Sequence, residues 1–225
     1  MSGAGSQSQP RGVLWDLDGT LVDSTDLHWI AWRDTMAEEG VPLTREMFEA
    51  TFGWKNDPIL RRWLGDDARE DRKARIARVK EERYRAALRA GGLRPLPGAR
   101  AWVERLRRDG WKQAIASSAP LANIDAVLDV LDLGHDFEAI VSAEDVTTGK
   151  PDPQVFLLAA RKLGVHPSRA IVVEDAEAGV EGARRAGMKC IGVNAKLRLA
   201  ADLSIASLAE LDDEAFSGLL ERPAG

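Results

Sequence analysis

The chain has 225 residues, 44% of them apolar and 30% charged, which is the balance of a folded soluble protein and excludes a disordered one. Its formal net charge of −5 argues against a nucleic-acid binder, and its single cysteine, Cys190, excludes a disulfide framework or a cysteine-built zinc site. No apolar run approaches the roughly 20 residues that cross a bilayer. The polar start MSGAGSQSQP lacks the features of a secretory signal, so residues 1–10 are expected to be a disordered tail on a cytoplasmic protein with no membrane partner.

The first ordered element is expected at Gly12–Trp15, a short apolar run that gives way abruptly to Asp16-Leu17-Asp18-Gly19-Thr20. That form reads as a buried strand ending in a polar loop. It recurs at Gln113–Ala116 before Ser117, at Ala139–Ser142, at Ala170–Val173 before Glu174-Asp175, and at Cys190–Val193. Helical spacing fills the intervals at 98–109, 121–131, 153–163 and 177–186, the last stopped by Gly187. Strands alternating with helices predict an α/β fold with a mostly parallel, Rossmann-like sheet and helices on both faces. Residues 26–93 break the rhythm. Helical patterns at 27–37, 46–50, 58–64 and 68–90 carry no convincing strand, so an all-helical cap is expected there, with the core formed by residues 11–25 and 94–225.

In open α/β sheets, ligands bind beyond the carboxyl ends of the strands. Asp16, Asp18, Ser117, Glu174 and Asp175 all fall at such ends, and Lys150 follows the third strand in Gly149-Lys150-Pro151. Carboxylates gathered on one rim repel one another unless a cation joins them, and oxygen-only ligands suit Mg²⁺.

The set Asp16-x-Asp18-Gly19-Thr20, Ser117, Lys150 and Glu174-Asp175, in this order, resembles the four motifs of the haloacid dehalogenase superfamily of phosphatases and phosphomutases, in the subgroup with a helical cap after the first strand. The resemblance covers about residues 11–215. It implies Asp16 as nucleophile and Asp18 as general acid and base. Ser117 and Lys150 would hold phosphate oxygens, and Mg²⁺ would be held by Asp16, the Asp18 main chain, Asp175 and Glu174. The partner implied is a small phosphorylated metabolite, for a monomer or weak dimer. Asp18 argues against a dehalogenase or phosphonatase, which lack the second aspartate. Ala176 departs from the serine that often follows the acidic pair.

Within the superfamily, the segment resembles β-phosphoglucomutase at His28, Trp32 and Lys80. The mutase's phosphate-gripping cap arginine has no counterpart in Gly53-Trp54-Lys55-Asn56-Asp57, and Asn56 cannot reproduce an arginine fork. Lys55, a point charge, would compensate only in part. The expected activity is therefore hydrolysis of a sugar or polyol phosphate, with His28, Lys55, Asn56 and Lys80 facing the leaving group. The alternatives are a phosphohexomutase and, more remotely, a non-catalytic phospho-ligand binder, which would have no use for both aspartates. Four of the seven tryptophans (Trp29, Trp32, Trp54 and Trp63) lie in the cap. Packing is expected for Trp29, Trp32 and Trp63, while Trp54 suits packing and substrate contact equally. The run Arg61–Arg89, with 11 basic and 6 acidic residues, is expected to be an ion-paired solvated face.

Overall fold

Residues 9–91 and 93–221 are described by a computed structural model; residues 1–8 of the expected tail lie outside the described residues. Strand β1 (Gly12–Trp15) is followed by four helices: α1 (Thr25–Glu38), α2 (Arg45–Glu49), α3 (Asn56–Leu64) and α4 (Glu70–Ala90). Then come α5 (Ala99–Arg108), β2 (Lys112–Ala116), α6 (Leu121–Leu131), β3 (Ala139–Val141) and α7 (Gln154–Leu163). The chain ends with β4 (Ala170–Glu174), α8 (Glu177–Arg185), β5 (Lys189–Val193), β6 (Leu203–Ile205) and α9 (Ala215–Glu221).

The strands form one sheet in the order β3-β2-β1-β4-β5-β6, with every pairing parallel. Alternate side chains enter opposite layers. Val13 and Trp15 face α5, α6 and α9 together with Ile115, Ile171 and Val173, while Leu14 faces α7 and α8 together with Ala114 and Val172. Both faces are covered, which is why the strands read as largely apolar runs, with buried Gln113 in β2 accepting from Trp15 Nε1–H and donating to Val103 O. β1 is central, and the chain builds outward first through β2 and β3, then through β4 to β6. The crevice where the order reverses lies at the carboxyl ends of β1, β2 and β4, and this places the candidate site.

Helices α1–α4 carry an apolar cluster of their own, formed by Trp32, Met36, Phe48, Ile59, Leu60 and Ile76. The two passages that join them to the sheet run side by side: Val22 bridges Pro95, and Leu96 N–H donates to Leu21 O at 2.8 Å. The charged run is ion-paired, with Arg72 and Arg75 on Glu39, Arg78 on Glu82, and buried Lys73 on Asp57 and Glu70. Two elements have no expectation in the sequence. β6 is a three-residue edge strand, too short for a period to register. α9 owes its place to Phe216, whose ring lies 5.1 Å from Trp102, 6.0 Å from Trp111 and 6.2 Å from Trp15. Among the described residues, no helix is long and apolar enough to cross a membrane.

Candidate active site

Each core motif is delivered by the end of a parallel strand. Asp16 N–H donates to Val173 O and Ser117 N–H to Val141 O, both at 3.0 Å, so both residues continue their ladders while their side chains face the crevice. Asp16, Glu174 and Asp175 bring one carboxylate oxygen each within 4.8 Å of one another. Lys150 stands among them, donating to Asp16 Oδ1 at 2.5 Å and to Glu174 Oε2 at 3.2 Å. Ser117 Oγ accepts from Ala119 N–H at 3.1 Å, which leaves its own proton free to donate.

Burial, and after it the charge of Asp16, pushes Asp175 up to about 8 and Glu174 well above the carboxylate range; burial also raises Asp16. Burial opposes the Lys150 ammonium, but Asp16 and Glu174 outweigh it and raise its pKa. One ammonium does not offset the burial and crowding of three acids, which is why their pKa values rise, and the donors are all oxygens. This cluster fits a hard divalent cation such as Mg²⁺. Two glycines make the crowding possible. A Cβ at Gly19, where φ is +88°, would overlap the Asp175 carboxylate, and a Cβ at Gly179 would overlap that of Glu174. Gly179 therefore makes room for a carboxylate, beyond any role in packing α8 on the sheet.

The Asp18 carboxylate stands apart from this cluster. It accepts from Ser24 Oγ, and His28 Nε2 lies 3.4 Å from its Oδ1. His28 Nδ1 lies 2.9 Å from Lys80 Nζ, which also donates to Glu81 at 2.8 Å. Burial, then the Lys80 charge, holds His28 below its ordinary pKa, so at neutral pH the ring is uncharged. An ammonium can only donate, so Nδ1 accepts and the ring proton sits on Nε2, aimed at Asp18. Burial disfavours the Asp18 carboxylate, but His28 and Ser24 outweigh it and lower its pKa. Tyr84 stacks on the His28 ring at 4.0 Å.

Apart from Ser24 and Tyr84, these side chains line one cavity of about 400 Å³ between the sheet rim and α1–α4. Asn56, Trp54, Trp32, Phe48, Phe52 and Thr51 form its outer part. Asn56 Nδ2 donates to Glu81 at 2.8 Å, which leaves its carbonyl free. Lys55 corrects an expectation. Its ammonium does not face the leaving-group space but donates to the main-chain oxygens of Ala143 and Val146 at 2.8 and 2.9 Å. Sequence reasoning passed over Glu81, which accepts from Lys80, Asn56 and Asn123 at once. In Lys80-Glu81-Glu82-Arg83 it looks like one more surface charge. Trp29 and Trp63 pack as expected, on Phe48 and Trp32. Trp32 both packs and lines the cavity, while Trp54 is 43% exposed at the cavity wall.

A family model for haloacid dehalogenase-like hydrolases matches residues 10–187. The chain belongs to that family. Hexitol phosphatase B of Escherichia coli (strain K12) is 35% identical to this hydrolase over 217 residues, covering 91% of this chain and 96% of that one. The β-phosphoglucomutase of Bacillus subtilis (strain 168) is 31% identical over 210 residues, covering 89% and 91%. A crystal structure of β-phosphoglucomutase from Clostridium difficile superposes with a TM-score of 0.86 at 26% identity, covering 94% of this haloacid dehalogenase-like chain and 97% of the other.

Proposed function

We propose that the protein is a Mg²⁺-dependent phosphatase of small sugar or polyol monophosphates that works through an aspartyl-phosphate on Asp16, with residues 26–93 acting as the cap and the cytoplasm as its location. The observation that carries this reading is the convergence of Asp16, Lys150, Glu174 and Asp175 on the floor of a covered cavity whose wall holds a separately anchored Asp18. In the first step, an Asp16 carboxylate oxygen bonds to phosphorus as the ester oxygen leaves with a proton from Asp18, which takes that proton up when the negative charge of the arriving phosphate opposes the lowering by His28 and Ser24. In the second, Asp18, now a carboxylate, takes a proton from water. The water oxygen bonds to phosphorus, the bond to Asp16 breaks and inorganic phosphate departs. Lys150 and Ser117 hold the phosphoryl oxygens throughout. Asp16, Glu174, Asp175 and the Asp18 main-chain oxygen would hold Mg²⁺, which neutralises charge on the transferring group. His28, with its proton on Nε2, orients Asp18.

A phosphomutase is the second reading, favoured by the His28–Lys80 pair and by the mutase relatives. Against it, the outer cavity offers a second phosphate no free cation among the described residues. Lys80 is taken by Glu81 and His28, and Asn56 is neutral. The test follows phosphate release from a panel of phosphorylated metabolites with and without Mg²⁺. It then supplies β-glucose 1-phosphate with catalytic glucose 1,6-bisphosphate, following glucose 6-phosphate and free phosphate together. Phosphate release without isomerisation is expected. Rapid isomerisation with little phosphate would favour the mutase, and no Mg²⁺-dependent turnover on any ester would end both readings.

A further inference from the structure

Lys55 carries a charge that no carboxylate pairs among the described residues, and it reaches across from the helical segment to the core. We propose that Lys55 is a positioning residue, a latch that fastens the α2–α3 loop to the core and thereby sets Trp54 and Asn56 over the leaving group. The proposal rests on the reading of this cavity as a phosphate-ester site.

The receptor for the ammonium is built by the core itself. Ala143 and Val146 flank the short turn after β3, and Ala143 N–H donates to Ala119 O at 2.9 Å, in the loop that begins at Ser117. Ser142 N–H and Oγ both donate to Asp145, at 2.8 and 2.9 Å. Gln154 Oε1 accepts from Thr147 N–H and Thr148 N–H at 3.0 and 3.2 Å. This turn is fixed without Lys55, so the ammonium fastens the loop that reaches in and not the turn that receives it. The Lys55 stem passes Gly149, where an added Cβ would lie 3.4 Å from Cδ, next to Lys150.

The loop side is equally specific. Lys55 is the N-cap of α3 and follows a turn in which Gly53 has φ +83°. Its neighbours on both sides, Trp54 and Asn56, line the cavity. One side chain therefore joins the wall that meets the leaving group to the segment that leads into the phosphate-binding lysine. The other side-chain links between the two regions, His28 with Asp18 and Asn123 with Glu81 and Arg85, lie on α1 and α4, the helices that leave and return to the core. By hydrogen bonds they reach the α2–α3 loop only through Asn56 and Glu81, whereas Lys55 makes the loop's direct hydrogen bonds to the core among the described residues. Charge-assisted bonds to two carbonyls favour the closed arrangement, and an ester that binds only that arrangement sees its affinity scaled by the closed fraction.

The experiment places spin labels at Arg62→Cys on α3 and Arg161→Cys on α7, both exposed, with Cys190 buried and left in place. Pulsed distance measurements with Mg²⁺ and inorganic phosphate compare the parent with Lys55→Met and Lys55→Arg. A longer-distance population is expected to grow in Lys55→Met and to recede in Lys55→Arg, which keeps the cation. On the best phosphate ester, Lys55→Met should raise KM by about tenfold while lowering kcat much less, and Lys55→Arg should recover most of the loss. A distance distribution unaltered by Lys55→Met overturns the latch whatever the kinetics. A fall in kcat at constant KM, or no recovery with arginine, also overturns it. Absence of turnover in the parent would overturn the phosphatase reading alone, because the distance measurement needs no turnover.

Discussion

Glu174 and Gly179 face each other across the turn from β4 into α8 with no room for a Cβ between them. In Gly179→Ala the new methyl must push the carboxylate out of the cluster or force helix and strand apart. Overpacking of this kind costs about 1–3 kcal/mol. The expected result is a lower melting temperature together with a raised Mg²⁺ requirement, read from a metal titration of activity. A variant with parental Mg²⁺ dependence would show that Glu174 has no part in holding the ion.

Asp16→Asn should lose nearly all turnover and keep its fold. The asparagine keeps the shape of the side chain and an oxygen to accept from Lys150, so cooperative unfolding in chelator is expected to persist. Activity above a few per cent of the parent would rule out a covalent aspartyl-phosphate.

Asp18→Asn should slow poor leaving groups far more than good ones, because p-nitrophenolate departs with little protonation. His28→Ala should show the same pattern more weakly, since it leaves the acid present but unanchored at Nε2. Equal losses on both ester types would remove Asp18 from the proton-transfer role.

Mg²⁺ should raise the melting temperature, and chelation should lower it, because the ion relieves repulsion among Asp16, Glu174 and Asp175 and binds only the folded arrangement. Asp175→Ala should shrink that shift. Ca²⁺ should inhibit turnover, since it prefers more and longer bonds. Full activity after dialysis against chelator would contradict the metal assignment.

Asn56→Arg replaces an amide that donates to Glu81 at 2.8 Å with a guanidinium, and Glu81 will pair with part of its charge. Inhibition by sugar bisphosphates should still strengthen, about three- to tenfold, while affinity for monophosphates changes less. An unchanged bisphosphate inhibition constant would mean that the outer cavity does not admit a second phosphate at all.

The core of the site was legible because two physical rules coincide. Buried parallel strands are apolar where they meet both layers, so the polar residue that follows each apolar run marks its end. Parallel pairing then brings those ends to one rim. Asp16, Ser117 and Glu174-Asp175 needed no more than that. Lys55 was misread because its partners, Ala143 and Val146, lie 88 and 91 residues away and offer only main-chain oxygens, which carry no residue signature. Glu81 was missed for a related reason. Its role depends on Asn56 and Asn123, 25 and 42 residues distant, and a buried acceptor and a solvated one look alike in a charged helix. β6 and α9 depend on tertiary packing more than on any local period.

The bridge between Val22 and Pro95 leaves both ends of a roughly seventy-residue excursion at a single point on the sheet's rim. Closing that point is what joins the excursion to the strands, and loop closure depends weakly on the length enclosed. Away from the contacts at His28, Lys55, Glu81 and Leu88, the helices beyond it can change in length while the rim that carries Asp16 and Lys150 keeps its register. The wall of the outer cavity and the rim that holds Asp16 are thus written in largely separate stretches of chain, joined where His28 reaches Asp18.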